Sequence, residues 1–191
     1  ENAVAFLLKS EEHHRVTGPV SFFKDERGSW LAWRIDQLIS FRQKENVING
    51  VSVTANLIVK RTLFDDVGLF NQELMSGGDF EWNRRATEKK YQLAYLDGVE
   101  VLHPARVSLS EVLIKLRRIT GGKMVKAKQN KCMTLFVLRH FNPPVKTWFK
   151  ALKQDKSILS VSLLIFTVLW LLKLSMLIEI GRISFGGKPV R

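Results

Sequence analysis

Two carboxylates behind a pair of glycines mark where this chain is best equipped for chemistry. They lie in Ser76-Gly77-Gly78-Asp79-Phe80-Glu81-Trp82, after which no breaker appears as far as Lys90. The glycines permit a tight or positive-φ turn, and the run behind them predicts a helix over 79–90. Asp79 and Glu81 then fall in its first turn, where unpaired N–H groups and the positive end of the helix dipole favour negative charge. Carboxylates held there can take a proton or bind a hydroxyl. Equally, Asp79 can be an N-cap and Glu81 an early-turn acid, both common at helix starts. Other candidates are sparser. His13-His14 invites a metal reading, but adjacent side chains share neither a helix face nor a strand face, which predicts a solvated loop. The single cysteine, Cys132, excludes an internal disulfide framework and a thiolate zinc cluster.

The elements that must position these groups can be read in order. Ala3 to Leu8 is an apolar run too short to span a bilayer. Val16 to Phe23 predicts a strand interrupted by Gly18-Pro19, and Asp25 to Gly28 a turn. Trp30 to Lys44 carries apolar residues at 31, 35, 38 and 39, an amphipathic helical pattern. After the Asn49-Gly50 turn signal, the β-branched run Val51 to Val59 predicts a buried strand with Asn56 as its polar exception. Arg61 to Val67 predicts a short helix closed by Gly68. Gln92 to Leu96 and Val99 to Leu102 predict strands joined by a hairpin-type Asp97-Gly98. Ser108-x-x-Glu111 is a capping box opening a helix to about Ile119, which Gly121-Gly122 ends. This alternation predicts an α/β fold with a mixed sheet and flanking helices.

Composition supports a folded core: 191 residues, 46% hydrophobic, with five Trp and twelve Phe. The net charge of +12 is unevenly spread: residues 1–114 carry −2, residues 115–156 carry +11, and the remainder +3. So dense a basic block implies an anionic partner. Asn142-Pro143-Pro144 is the clearest linker signal, and residues 123–156 predict basic helices outside the sheet. Residues 158–178 are predominantly apolar and uncharged apart from Lys173, about long enough for one transmembrane helix of ~20 residues, with a buried or an interfacial helix as the alternative. Lys173, near its end, would snorkel to the headgroups. The upstream basic block then puts the sheet domain in the cytoplasm. The chain opens on Glu1 with no signal-peptide pattern and reads as a fragment or a processed piece.

From about Val16 to Gly122 the chain resembles the second half of a family-2 glycosyltransferase with the GT-A fold. The resemblance rests on Thr17-Gly18-Pro19-Val20, on Thr54-Ala55-Asn56 and on Lys60-Arg61-x-x-Phe64-x-x-Val67-Gly68-x-Phe70. It continues through Leu74-x-Ser76-Gly77-Gly78-Asp79-x-Glu81-Trp82 to His103-Pro104. It implies Asp79 as the general base on an acceptor hydroxyl, supported by Glu81, although Gly78-Asp79 stands where the family has Glu-Asp. It also implies acceptor contacts at Asn56, Gly77, Gly78 and Trp82, a metal role for His103, and a divalent cation, manganese or magnesium. Arg106, Arg117 and Arg118 could reach diphosphate or lipid phosphate, or simply face solvent. The family's Asp-x-Asp is absent, since Asp65-Asp66 has the wrong spacing.

The expected organisation is a GT-A acceptor-side half over 1–122, a basic membrane-proximal region over 123–156, a membrane helix over 157–180 and a basic tail over 181–191. The implied function is transfer of a sugar from a nucleotide-diphosphate donor to a lipid-linked or polysaccharide acceptor at the cytoplasmic face of the cell membrane. This fragment, lacking the nucleotide-binding half, would be inactive alone. Anionic membrane lipid is the further expected partner, and nucleic acid is not expected. The alternatives are a non-catalytic membrane scaffold, or a nucleic-acid-binding protein using 115–156, whose Phe136, Phe141, Trp148 and Phe149 could stack on bases. No RNA- or DNA-binding signature accompanies them.

Overall fold

The computed structural model describes residues 2–129, 131–154 and 159–190. In chain order its elements are α1 (Asn2–Lys9), β1 (His13–Thr17), β2 (Val20–Phe23), α2 (Trp30–Ile39) and α3 (Gln43–Ile48). A 3-10 turn at Thr54–Asn56 leads into β3 (Leu57–Val59), α4 (Leu63–Val67), α5 (Gly78–Glu88), β4 (Gln92–Tyr95) and β5 (Val101–Pro104). Helices α6 (Leu109–Gln129), α7 (Met133–Phe141), α8 (Val145–Gln154) and α9 (Leu159–Ser184) follow. The expected junction between basic region and membrane helix, at 155–158, lies outside the described residues. By its contacts the chain divides into two compact units: residues 1–23 with 40–104, and residues 24–39 with 105–191.

The first unit is mixed α/β. Its three-stranded sheet has the order β3-β1-β4, with β1 antiparallel to β3 and parallel to β4. Val16, next to last in β1, pairs with Ile58 on one side and Ala94 on the other. At Gly18-Pro19 the chain leaves this sheet, and β2 pairs in parallel with β5 instead. A side chain at Gly18 would collide with the carbonyl oxygens of Val99 and Leu96, so the backbones can approach here only at a glycine. One apolar cluster joins Ala3, Leu7, Val16 and Ala94; another joins Leu63, Val67, Trp82 and Ala86.

Several local expectations are corrected by contacts distant in sequence. His13 and His14 open β1 rather than forming a loop. His13 Nδ1 lies 3.1 Å from Ser10 Oγ, and His14 stands edge-on to Tyr91. Only Leu57–Val59 of the Val51 to Val59 run pairs as a strand, because Ser52 and Asn56 are drawn into a buried polar network. Asp97-Gly98 does not close a hairpin: β4 pairs with β1 and β5 with β2. The amphipathic helix at Trp30 stops at Ile39, and Phe41 has a positive φ of 43° before α3 begins.

The second unit is helical. Ile35 and Leu38 of α2, Val112 of α6, Ala151 of α8, and Ile165, Leu169 and Leu172 of α9 form its core. Ser108 Oγ accepts the Glu111 N–H, as the capping box anticipates, whereas the Glu111 carboxylate accepts from the Val107 N–H, one residue before the expected Ser108 N–H. Gly121-Gly122 does not end α6, which runs on to Gln129. Gly121 serves close packing instead, since a Cβ there would stand 2.8 Å from the Pro189 Cβ. Helix α9 is long and apolar enough to cross a membrane over Ser160–Ser184. Lys173 lies well inside it, and its ammonium donates to the Asn142 carbonyl.

Candidate active site

The acid-bearing loop enters α5 through Gly77, which adopts the left-handed conformation at the N-cap position (φ 80°, ψ 17°) with no side-chain cap bond. An L side chain is disfavoured in that geometry. Asp79 is therefore not the cap. It sits one residue inside the helix start and is half-buried. One of its oxygens accepts the Phe80 N–H at 2.9 Å. Gly77 itself is exposed and crowds nothing, which leaves the approach to this turn open.

The other residues of α5 hold that turn in place. Glu81 is gripped by Arg85 through Nε (2.7 Å) and Nη2 (3.1 Å). The same guanidinium donates to the Val67 carbonyl and, at 2.7 Å, to the Leu69 carbonyl. Trp82 is fully buried against Leu63, Val67, Phe64 and Ala86, and its indole N–H donates to the Gly68 carbonyl at 2.7 Å. Expected at an acceptor, Trp82 is instead a core residue, and Glu81 is engaged in a clamp on the loop after α4.

Beneath the helix lies a buried polar network that the sequence did not announce. Asn83 donates to the Asp79 carbonyl (2.9 Å) and the Ser52 carbonyl (3.1 Å), and its Oδ1 accepts Arg15 Nη1 at 2.7 Å. Arg15 also donates to Thr87 Oγ1 and to the Tyr91 carbonyl. Burial among these carbonyls pushes its guanidinium down to about 10. An arginine in a strand bounded by valine was the signal that could have marked it. A neighbouring cluster links Thr17, Gln43, Ser52 and Asn56. Asn56 is buried, with Nδ2 donating to the Pro19 (2.9 Å) and Val99 (2.7 Å) carbonyls. It ties the crossing between the two sheets rather than facing an open groove.

His103, on β5, packs against Phe22 and Phe41, which stack on each other. Its Nδ1 lies 2.8 Å from the Pro104 carbonyl, placed to donate to it. Among the described residues no group of three or more His, Cys, Asp or Glu side chains converges. These residues therefore do not fit a metal centre by themselves, and His103 offers one donor. No hydrogen bond or ion pair among the described residues joins Asp79 to His103 or Asn56. An open groove of about 460 Å³ runs along α5, lined by Asn46, Asn49, Val51, Phe80, Arg84, Thr87 and Glu88.

The three arginines lie in the helical unit, two of them already engaged. Arg106 meets the fully buried Asp36 at 3.1 Å, and Lys115 reaches the same carboxylate at 2.7 Å. Arg117 pairs with Glu179, which Arg182 also holds. Arg118 makes no ion pair among the described residues.

The site is thus a carboxylate on the first turn of a helix that is clamped from two sides within a mixed α/β unit. Glycosyltransferase AglE of Haloferax volcanii is 36% identical over 110 residues, 57% of this chain and 36% of that protein. This similarity supports a glycosyltransferase. The chain spans little more than a third of that relative's length. No family model and no solved structure matches.

Proposed function

We propose that the chain is the acceptor-side part of a family-2, GT-A-type hexosyltransferase that uses a nucleotide-diphosphate sugar. The acceptor is a lipid-linked or growing polysaccharide at the cytoplasmic face of the cell membrane. The observation that carries the reading is the similarity to a glycosyltransferase, joined to a half-exposed carboxylate on the first turn of α5. In the step proposed, the acceptor oxygen attacks the sugar's anomeric carbon and its proton passes to Asp79. The bond from that carbon to the diphosphate oxygen breaks, and the nucleoside diphosphate leaves with the electron pair. Glu81 contributes through Arg85, by holding the loop, rather than by touching the acceptor. Gly77 and Gly78 leave room for the acceptor to approach.

The groove beginning at Phe80 suits a saccharide, with an aromatic face beside amide, guanidinium and carboxylate groups. Arg118, with the residual donors of Arg106 and Arg117, is a candidate for phosphate. Nucleotide binding falls to a part of the enzyme outside these 191 residues, and this chain alone is inactive. Manganese or magnesium is an expectation for the whole enzyme, to which His103 would lend one ligand; EDTA should then abolish transfer and added manganese restore it. Helix α9 attaches the protein to the membrane, and the basic residues before it favour a cytoplasmic catalytic unit.

The test is to incubate membranes containing the full-length enzyme with a panel of radiolabelled nucleotide sugars and to follow label into lipid and polysaccharide. Incorporation from one donor supports the reading. No incorporation from any donor, by protein shown to be folded, contradicts it.

A further inference from the structure

We propose that α7 and α8 form a second lipid-contacting surface that rests on an anionic bilayer, with an apolar stripe immersed beneath a rim of lysines. The proposal builds on membrane attachment through α9 and does not depend on sugar transfer.

Each helix is fixed to the protein along one side and unpartnered along the other. Helix α7 packs along one side against α6 and α9, whereas its Leu135, Leu138 and Phe141 recur every third residue and are exposed. On α8, Ala151 enters the core and the Trp148 indole donates to Ser162 of α9. Val145 and Phe149, four residues apart, face outward. These five side chains are 39–61% exposed, and they flank the short Asn142-Pro143-Pro144 connection. Amphipathic helices with such a stripe and a lysine-rich polar face lie in the bilayer interface.

Charge selects the occupant. Between Glu111 and Asp155 the sequence contains no carboxylate. Lys128, Lys131, Lys146, Lys150 and Lys153 make no ion pair among the described residues, so they are available to anionic headgroups. A nucleic acid would use the aromatic residues as a stacking row. Phe136 packs on His140, Trp148 on Phe166 and Phe149 on Trp148, which leaves Phe141 as the one ring of the four without a ring contact among the described residues. That pattern fits acyl chains better than bases.

Site-directed spin labelling of the full chain tests this in a Cys132→Ser background. Labels would be placed at Leu138→Cys and Phe149→Cys on the stripe, at Lys146→Cys and Lys153→Cys on the rim, and at Leu171→Cys on α9. Vesicles would be phosphatidylcholine with phosphatidylglycerol, and phosphatidylcholine alone. The account expects labels at 138 and 149 to collide more with oxygen than with an aqueous nickel chelate, and those at 146 and 153 to do the reverse. Removing phosphatidylglycerol should shift 138 and 149 toward the aqueous collider. Equal aqueous access at 138, 149, 146 and 153, with 171 still immersed, would overturn this proposal and leave attachment through α9 standing. An aqueous label at 171 would instead overturn attachment itself. Protection of 138 and 149 from both colliders would assign the stripe to protein, and protection by a single-stranded oligonucleotide without lipid would assign it to nucleic acid. An unchanged pattern in pure phosphatidylcholine would refute the anionic requirement.

Discussion

Asp36 anchors one of the buried ion-pair clusters of the helical unit, and nothing in its local sequence marks it. It follows Ile35 on an amphipathic helix and looks like a surface acid; only the fold brings Arg106 and Lys115 onto it. Burial alone would raise its pKa, but hydrogen bonding to Lys115 and the two neighbouring positive charges outweigh that and hold it below the ordinary value of 3.8. Lys115 is lowered chiefly by burial, which outweighs its bond and attraction to the carboxylate, and the charges of Arg106 and Arg118 add to the lowering. A depressed carboxylate pKa contributes stability that is complete above 3.8 and is lost as pH falls from there through the lowered value. Asp36→Asn would strand two cations and is expected to cost about 3–5 kcal/mol, flattening that acid limb in thermal melts followed by circular dichroism. In the sheet unit, Asn83→Leu removes the amide that bridges Arg15 to the Asp79 carbonyl. Unsatisfied buried partners cost about 1–3 kcal/mol each, so chemical denaturation should show a clear loss. By contrast, Asp79 could be singled out from the sequence alone, because glycines, an acid pair and an unbroken run are local signals.

At the scale of elements the same division holds. The break at Gly18-Pro19, the helix behind Gly77 and the capping box at Ser108 were legible because each is written in neighbouring residues. The pairing of β4 and β5 was not, since Asp97-Gly98 has hairpin chemistry while the partners are β1 and β2. Nor was the length of α6, because the tail that packs on Gly121 lies far along the chain. This gives a test in which two effects oppose each other. Gly121→Ala gains roughly 1 kcal/mol of helix propensity but places a methyl against Pro189. Hydrogen exchange should therefore show α6 protected as before and residues 187–190 exchanging faster. An unchanged tail would mean that the contact is easily relieved. Trp82→Phe should loosen the loop after α4 by removing the bond to the Gly68 carbonyl, and chymotrypsin cleavage at Leu69 or Phe70 should quicken.

For the molecule as a whole, α9 has two roles. It is apolar enough to span a membrane, and it supplies Ile165, Leu169 and Leu172 to a core shared with α2, α6 and α8. Truncation before it would open that core, so attachment is better tested on the intact chain, which should stay with membranes through carbonate extraction. The sequence showed the apolar run but not the partners it packs on. The central claim, that the carboxylate on the first turn of α5 is a base, can be tested with one mutant of the full-length enzyme. Asp79→Asn keeps an oxygen that can accept the Phe80 N–H and leaves the Gly77 cap untouched, so the fold should survive. Because general-base catalysis contributes about 10²–10⁴-fold, turnover at saturating acceptor should fall by that factor with the donor's apparent affinity unchanged. Near-normal turnover of Asp79→Asn with acceptor saturating would contradict the account and leave Asp79 a residue of the helix start alone.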